Sequence, residues 1–230
     1  MRATNFLIFL ISVFSANADP FQNLGFDDAN TNNMEAVDPA WGEGWGATAD
    51  LLPGWNLLWG SKEEDSIGFN YSIPGLGYAS LYNSNNPNWR HVEGQYALEL
   101  YPDNYRNMPY SLTQIGDVPG EAKSITLTLL GGPVVVYMND SLVPLIFNPD
   151  FNDYPPYPDR IISVTGDVSP FSGQTVELKI VTAEGGIVPW RSLDSIAFSP
   201  LAIPEPTGSA LFFVGLLLFG LSCVYRNKGP

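Results

Sequence analysis

Cysteine is almost missing from this chain: the only one, Cys223, lies in an apolar stretch near the C-terminus. No disulfide can therefore staple residues 19–203, which must be held by their own core or by a bound ion. Histidine is equally scarce, with His91 alone. One imidazole, no cysteine nucleophile in the body and no Gly-x-Ser-x-Gly leave no recognisable catalytic triad, and the Cys and His spacing of a zinc site is lacking too. His91 with Glu93 reads as a solvated pair at a strand end. Basic residues are few, 10 Lys and Arg against 24 Asp and Glu, for a net charge of −14. No acid precedes Asp19, whereas Arg2, Arg226 and Lys228 belong to the terminal segments, so the part between is more acidic still. Such a surface repels nucleic acid and attracts cations, which argues against a nucleic-acid partner. No glycine-rich phosphate loop opens a helix. Helices themselves have little room, because 22 Gly and 20 Pro leave few windows of three helical turns.

What is present is clearest at the two ends. Residues 1–18 carry Arg2, an apolar run from Phe6 to Phe14 and the small-x-small sequence Ala16-Asn17-Ala18. That is the layout of a secretory signal peptide. Residues 204–230 hold Pro204-Glu205-Pro206, an uncharged run from Ala210 to Tyr225, then Arg226 and Lys228. Taken back to Thr207, the run would make a helix about 28 Å long at ~1.5 Å per residue, enough for a hydrocarbon core of ~30 Å. The basic end belongs on the cytoplasmic side, so residues 19–203 form an extracytoplasmic domain. This tail resembles the PEP-CTERM sorting signal of exported bacterial proteins. The resemblance implies that Pro204, Glu205 and Pro206 are recognised by an exosortase-type processing enzyme that removes the helix. The chain would then be membrane-anchored through a single C-terminal span before processing, and at the cell surface or extracellular afterwards. A simple anchor that is never cut is the other reading.

The body reads as strands. Ser124–Leu130 alternates Ile125, Leu127 and Leu129 with Thr126 and Thr128, and Thr175–Val181 alternates Val176, Leu178 and Ile180 with Glu177 and Lys179, the pattern of half-buried antiparallel strands. Further short strands are expected at 55–59, 67–71, 96–100, 110–115, 134–138, 142–147, 161–165 and 194–199. Turn chemistry separates them at Pro53-Gly54, Pro74-Gly75, Pro119-Gly120, Gly131-Gly132-Pro133, Asn139-Asp140 and Gly185-Gly186. So many short strands at short intervals point to an all-β fold, a β-sandwich or jelly roll.

Asn23-Leu24-Gly25-Phe26-Asp27, Pro53-Gly54-Trp55, Ser111-Leu112-Thr113-Gln114 before Pro119-Gly120, and Leu193-Asp194-Ser195-Ile196 resemble, in that order, the galactose-binding-like jelly rolls of carbohydrate-binding modules. The resemblance implies a structural calcium ion held by an acid of the opening motif and one of the last strand, here Asp27 and Asp194 with Asp28. Hard oxygen ligands from two chain ends suit calcium, although Asp27 stands where the usual motif has the longer Glu. Tryptophans 55, 59 and 190 are expected to fill the core. Trp89, Tyr101 and Tyr105, in loop tips such as Tyr82–Trp89 and Tyr101–Tyr105, are the candidate sugar contacts, because exposed aromatic faces stack on sugar rings while nearby Asn and Asp pair with hydroxyls. The expected role is non-catalytic: a surface or matrix protein that binds extracellular polysaccharide. The alternative is an envelope glycan hydrolase or lyase, whose paired carboxylates cannot be recognised by counting acids.

Overall fold

The computed structural model describes residues 19–38, 42–71, 77–85, 93–102, 108–148, 161–182 and 191–203. The terminal segments, with Pro204, Glu205 and Pro206, lie outside the described residues, as do His91, Trp89, Tyr105 and Trp190. Among the described residues no helix is long and apolar enough to cross a membrane.

Among the described residues fifteen strands form two sheets. In chain order they are β1 (Glu35–Asp38), β2 (Glu43–Ala47), β3 (Asn56–Trp59), β4 (Lys62–Glu63), β5 (Ser66–Phe69), β6 (Tyr78–Asn83), β7 (Tyr96–Tyr101), β8 (Tyr110–Asp117), β9 (Ser124–Gly131), β10 (Val134–Met138), β11 (Ser141–Val143), β12 (Leu145–Asn148), β13 (Ile161–Asp167), β14 (Thr175–Thr182) and β15 (Arg191–Ser199); one helical turn, α1 (Thr48–Leu51), follows β2. Nine strands run in the order β1-β2-β5-β6-β7-β15-β9-β13-β12 and six in the order β11-β10-β14-β8-β3-β4. All named pairs are antiparallel except β5 with β6. The last strand is therefore not an edge: β15 is inserted between β7 and β9.

The alternation read from the sequence positions this core. Ile125, Leu127 and Leu129 from the larger sheet and Val176, Leu178 and Ile180 from the smaller are fully or almost fully buried in one apolar cluster, together with Leu98, Leu112 and Val136. At roughly 1.5–3 kcal/mol per buried aliphatic side chain, this cluster stands in for the missing disulfides. Trp55 is buried and Trp59 packs half-buried against the cluster.

Two expectations are corrected. The single strand expected at 142–147 is two: Pro144, which has no N–H to give a ladder, separates β11 in the smaller sheet from β12 in the larger. Tyr82, expected at a loop tip, lies in β6 and is only 5% exposed. The Asn139-Asp140 turn is as its residues require. Both have positive φ, 47° and 59°, and they join β10 to β11 as a two-residue hairpin loop with Met138 opposite Ser141.

Candidate functional site

The four short motifs meet in space. Asn23, at φ 48°, accepts the Trp55 indole N–H on its carbonyl (3.0 Å) and donates its side-chain amide to the Pro53 carbonyl (3.3 Å). Gln114 donates to the carbonyls of Gln22 and Gly54 at 3.1 and 2.8 Å, and its Oε1 accepts the Gln22 amide. Phe26 is fully buried with its ring 6.0 Å from that of Trp55. The Ile196 amide donates to the Leu24 carbonyl at 3.1 Å. Residues that looked like scattered landmarks thus form one clasp, tying the opening loop to β8 and to the last strand.

The candidate calcium ligands sit at the edge of this clasp and serve the backbone. Asp27 Oδ1 accepts the amides of Gln95 (2.6 Å) and Tyr96 (3.0 Å). Its Oδ2 lies where a side chain on Gly94 would be, 2.3 Å from an added Cβ. Asp194, 1% exposed, accepts the Glu93 amide on Oδ2 (2.8 Å) and the Ser195 amide on Oδ1 (2.7 Å). Ser195 has φ 47° and marks a register shift between Asp194 and Ala197. Its hydroxyl donates to Glu93 Oε2 at 2.6 Å, so Glu93 belongs to this node. Asp27 and Asp194 therefore grip the same 93–96 turn from two sides. Asp28 is exposed, its amide donating to Asn23 Oδ1. Among the described residues no group of three or more acids, histidines or cysteines is gathered closely enough to share a metal ion.

Tyr101 leads to a second arrangement that the sequence did not disclose. It ends β7, half-buried, with its ring stacked on Tyr78 of β6 at 5.2 Å and 13°. In β7, Leu98 and Leu100 face the core, so Glu99 and Tyr101 face away from it. Glu99 is nevertheless 2% exposed. It lies directly opposite Ser80 on β6 and Ser192 on β15, both fully buried. Tyr78 donates its hydroxyl to Glu99 Oε1. Burial holds the Glu99 carboxyl up, to about 7, with the Tyr78 hydrogen bond pulling the other way. The Tyr78 hydroxyl is held above its ordinary range, first by burial and then by the neighbouring Glu99 charge. Ser192 Oγ is buried without a hydrogen-bond partner among the described residues.

The outer face of the smaller sheet differs. A shallow groove of about 430 Å³ is lined by Val135, Val181, Tyr137, Lys179, Ser111 and Thr182, with Gly60 and Pro109 at its end. Tyr137 and Lys179 are direct cross-strand neighbours, as are Val135 with Val181 and Val181 with Ser111. The result is an apolar floor, one aromatic ring and a few polar groups, open to solvent.

No protein-family model and no curated protein matches the chain. Among solved structures, it is similar to a cyclase from Fischerella sp. TAU at 15% identity and a TM-score of 0.47, over 81% of this chain and 98% of that one. An adhesin domain of Lys-gingipain shares 12% identity at a TM-score of 0.37 over 64% and 90% of the two chains. A carbohydrate-binding module specific for non-crystalline cellulose shares 14% identity at 0.34, over 64% and 88%. At such similarity, what this chain does must be sought in its own residues.

Proposed function

We propose that this is an exported, envelope-sorted surface protein whose β-sandwich binds extracellular polysaccharide along the outer face of its smaller sheet. The groove floored by Val135 and Val181 carries this reading. A sugar ring presents an apolar face and a rim of hydroxyls, and here Tyr137 offers an aromatic surface while Lys179 and Ser111 offer polar groups beside it. Delivery outside the cell is part of the same proposal, with an exosortase-type enzyme acting at Pro204-Glu205-Pro206 and the apolar span as a temporary anchor. A mature C-terminus that mass spectrometry places near the motif supports sorting, whereas retention of Arg226 and Lys228 favours the uncut anchor.

Affinity electrophoresis through gels containing soluble polysaccharides tests binding. Retardation by at least one polymer, reduced roughly tenfold in apparent affinity by Tyr137→Ala with the fold intact, is the expected result. Shortened polymer products would replace this reading with the glycan hydrolase or lyase. The resemblance implies a structural calcium ion at Asp27, Asp28 and Asp194; since these three are not gathered into one cluster, an ion there would have to draw on backbone carbonyl oxygens as well. A ligand that binds only the folded state raises apparent stability, so a chelator that lowers the Tm supports the ion and an unchanged Tm removes it.

A further inference from the structure

The row centred on Glu99 crosses the larger sheet from strand to strand. Trp45 on β2 lies opposite Gly68 on β5, Gly68 opposite Ser80, Ser80 opposite Glu99, and Glu99 opposite Ser192. Tyr78 and Tyr82 share its face, since Ala79 and Leu81 between them point into the core. Gly68 leaves the floor low beside Ser80, whose Oγ would lie 3.0 Å from an added Cβ. Trp45 and Tyr71 meet edge to face, rings 5.5 Å apart, farther along. The half-buried rings of Trp45, Tyr71 and Tyr101 are where this row meets solvent.

Two features are unusual for the middle of a sheet. A buried carboxyl group is ordinarily paired with a cation or fully hydrogen-bonded, because an ionised one is expensive to desolvate. Among the described residues Glu99 has a tyrosine hydroxyl and no basic partner. The groups facing it are Tyr78 and Tyr82 from β6, Tyr101 from its own strand, and Ser192 with Asp194 beyond it from β15. Arg191, adjacent to Ser192, alternates to the other face and donates its Nε to the Pro133 carbonyl. Beside Glu99 stands the unpartnered hydroxyl of Ser192, and an orphan buried polar group of this kind calls for an explanation. One partner would answer both: a group bearing N–H donors and a positive charge, set among tyrosine rings whose faces favour cations.

We propose that the outer face of the larger sheet around Glu99, Ser192, Tyr78 and Tyr101 is a binding site for an organic ammonium ion with an apolar body. The ammonium N–H groups donate to the Glu99 carboxylate and to Ser192 Oγ, while the tyrosines enclose the charge. The acidic chain, at −14, raises the local concentration of such a cation. This face lies on the far side of the sandwich from the groove, so the site stands or falls separately from polysaccharide binding.

The test is isothermal titration of the full chain with phenethylammonium and with the neutral 2-phenylethanol. At pH 8 the ammonium ion should bind at least tenfold tighter than the alcohol. Below pH 7, where Glu99 takes up a proton, its apparent affinity should fall about tenfold per unit, because only the ionised fraction is competent. Glu99→Gln keeps the shape and the Tyr78 contact, so the fold should survive while the preference for the cation disappears; Ser192→Ala should weaken the ammonium ion about fivefold. Equal binding of the two probes, an unchanged ammonium affinity in folded Glu99→Gln, or no ammonium binding by the folded wild-type chain overturns the site.

Discussion

Asp194 and Glu99 are both buried carboxyl groups on neighbouring strands of one sheet, and they are treated in opposite ways. Asp194 is met by two peptide N–H groups, one on each oxygen, from Glu93 and from its own neighbour Ser195. Glu99 is met by a phenol. Carboxylates are stabilised in proportion to the donors aimed at their charged form, so the first belongs to the scaffold and the second is a group in want of a partner. The largest test of the difference is Asp194→Ala. It strips acceptors from two part-buried amides and frees the left-handed Ser195, and at ~1–3 kcal/mol for each orphaned donor the loss should be about 3 kcal/mol in urea denaturation. Asp194→Asn keeps one acceptor and should lose about half of that.

Glu99→Gln should do the reverse, in a pH-dependent way. The carboxyl of Glu99 titrates near 4.5 when unfolded and near 7 in the folded chain. The folded state therefore holds a proton through a window in which the unfolded state has released it. The contribution of Glu99 to stability is greatest below about pH 4.5. It falls as the pH rises towards 7 and is then level with respect to this group. At ~1.4 kcal/mol per unit the decline is about 3 kcal/mol. Gln, uncharged throughout, should match the wild type at pH 4 and exceed it by about that amount at pH 8. Parallel pH profiles of the two proteins would show that Glu99 is already satisfied as a carboxylate and would undo the contrast.

The two groups also differ in how legible they were. Asp194 was picked out because it stands in a motif, and the strand that carries it was placed, though it begins three residues earlier than expected, at Arg191. Most strands were legible for the same physical reason: alternation with one wet face leaves a period of two in the sequence, as in β9 and β14. Tyr78–Asn83 left no such trace. Both faces of β6 are buried, so its Tyr, Ala, Ser and Leu do not alternate in polarity, and its end merged with the Asn-rich segment that follows. Glu99 was concealed by the rule that revealed its neighbours. Tyr-Ala-Leu-Glu-Leu-Tyr reads as a strand with its glutamate in water, and only the assembled sheet shows that it is not. Nothing local announced Ser192 either, since its importance is its register opposite Glu99.

Gly94 sharpens the scaffold side of the comparison. Its φ of +63° is one that side chains rarely adopt, and an added Cβ would meet Asp27 Oδ2. Gly94→Ala should destabilise by about 2 kcal/mol, of which the left-handed backbone accounts for ~1 and the collision for the remainder. In an Asp27→Ala background only the backbone part should remain, so a double-mutant cycle reads the contact itself. A purely additive cycle would mean that Asp27 swings aside and does not grip the turn.

The smallest effect expected is at Asn139, which repeats the Asp194 device without charge or burial. Its Oδ1 accepts the Glu177 amide at 2.9 Å while its own amide donates to the Glu177 carbonyl at 3.0 Å. Two causes are mixed there, the hydrogen bond and the positive φ of a hairpin turn, and they can be separated. Asn139→Gly accepts the conformation and loses only the side-chain acceptor. Asn139→Ala loses the acceptor and carries the strain of φ 47° as well. With the Glu177 amide near water, the first should cost less than ~1 kcal/mol and the second ~1 kcal/mol more. If Asn139→Gly were as damaging as Asp194→Ala, burial would not be what separates a supporting hydrogen bond from an indispensable one, and the contrast between Asp194 and the surface would need another cause.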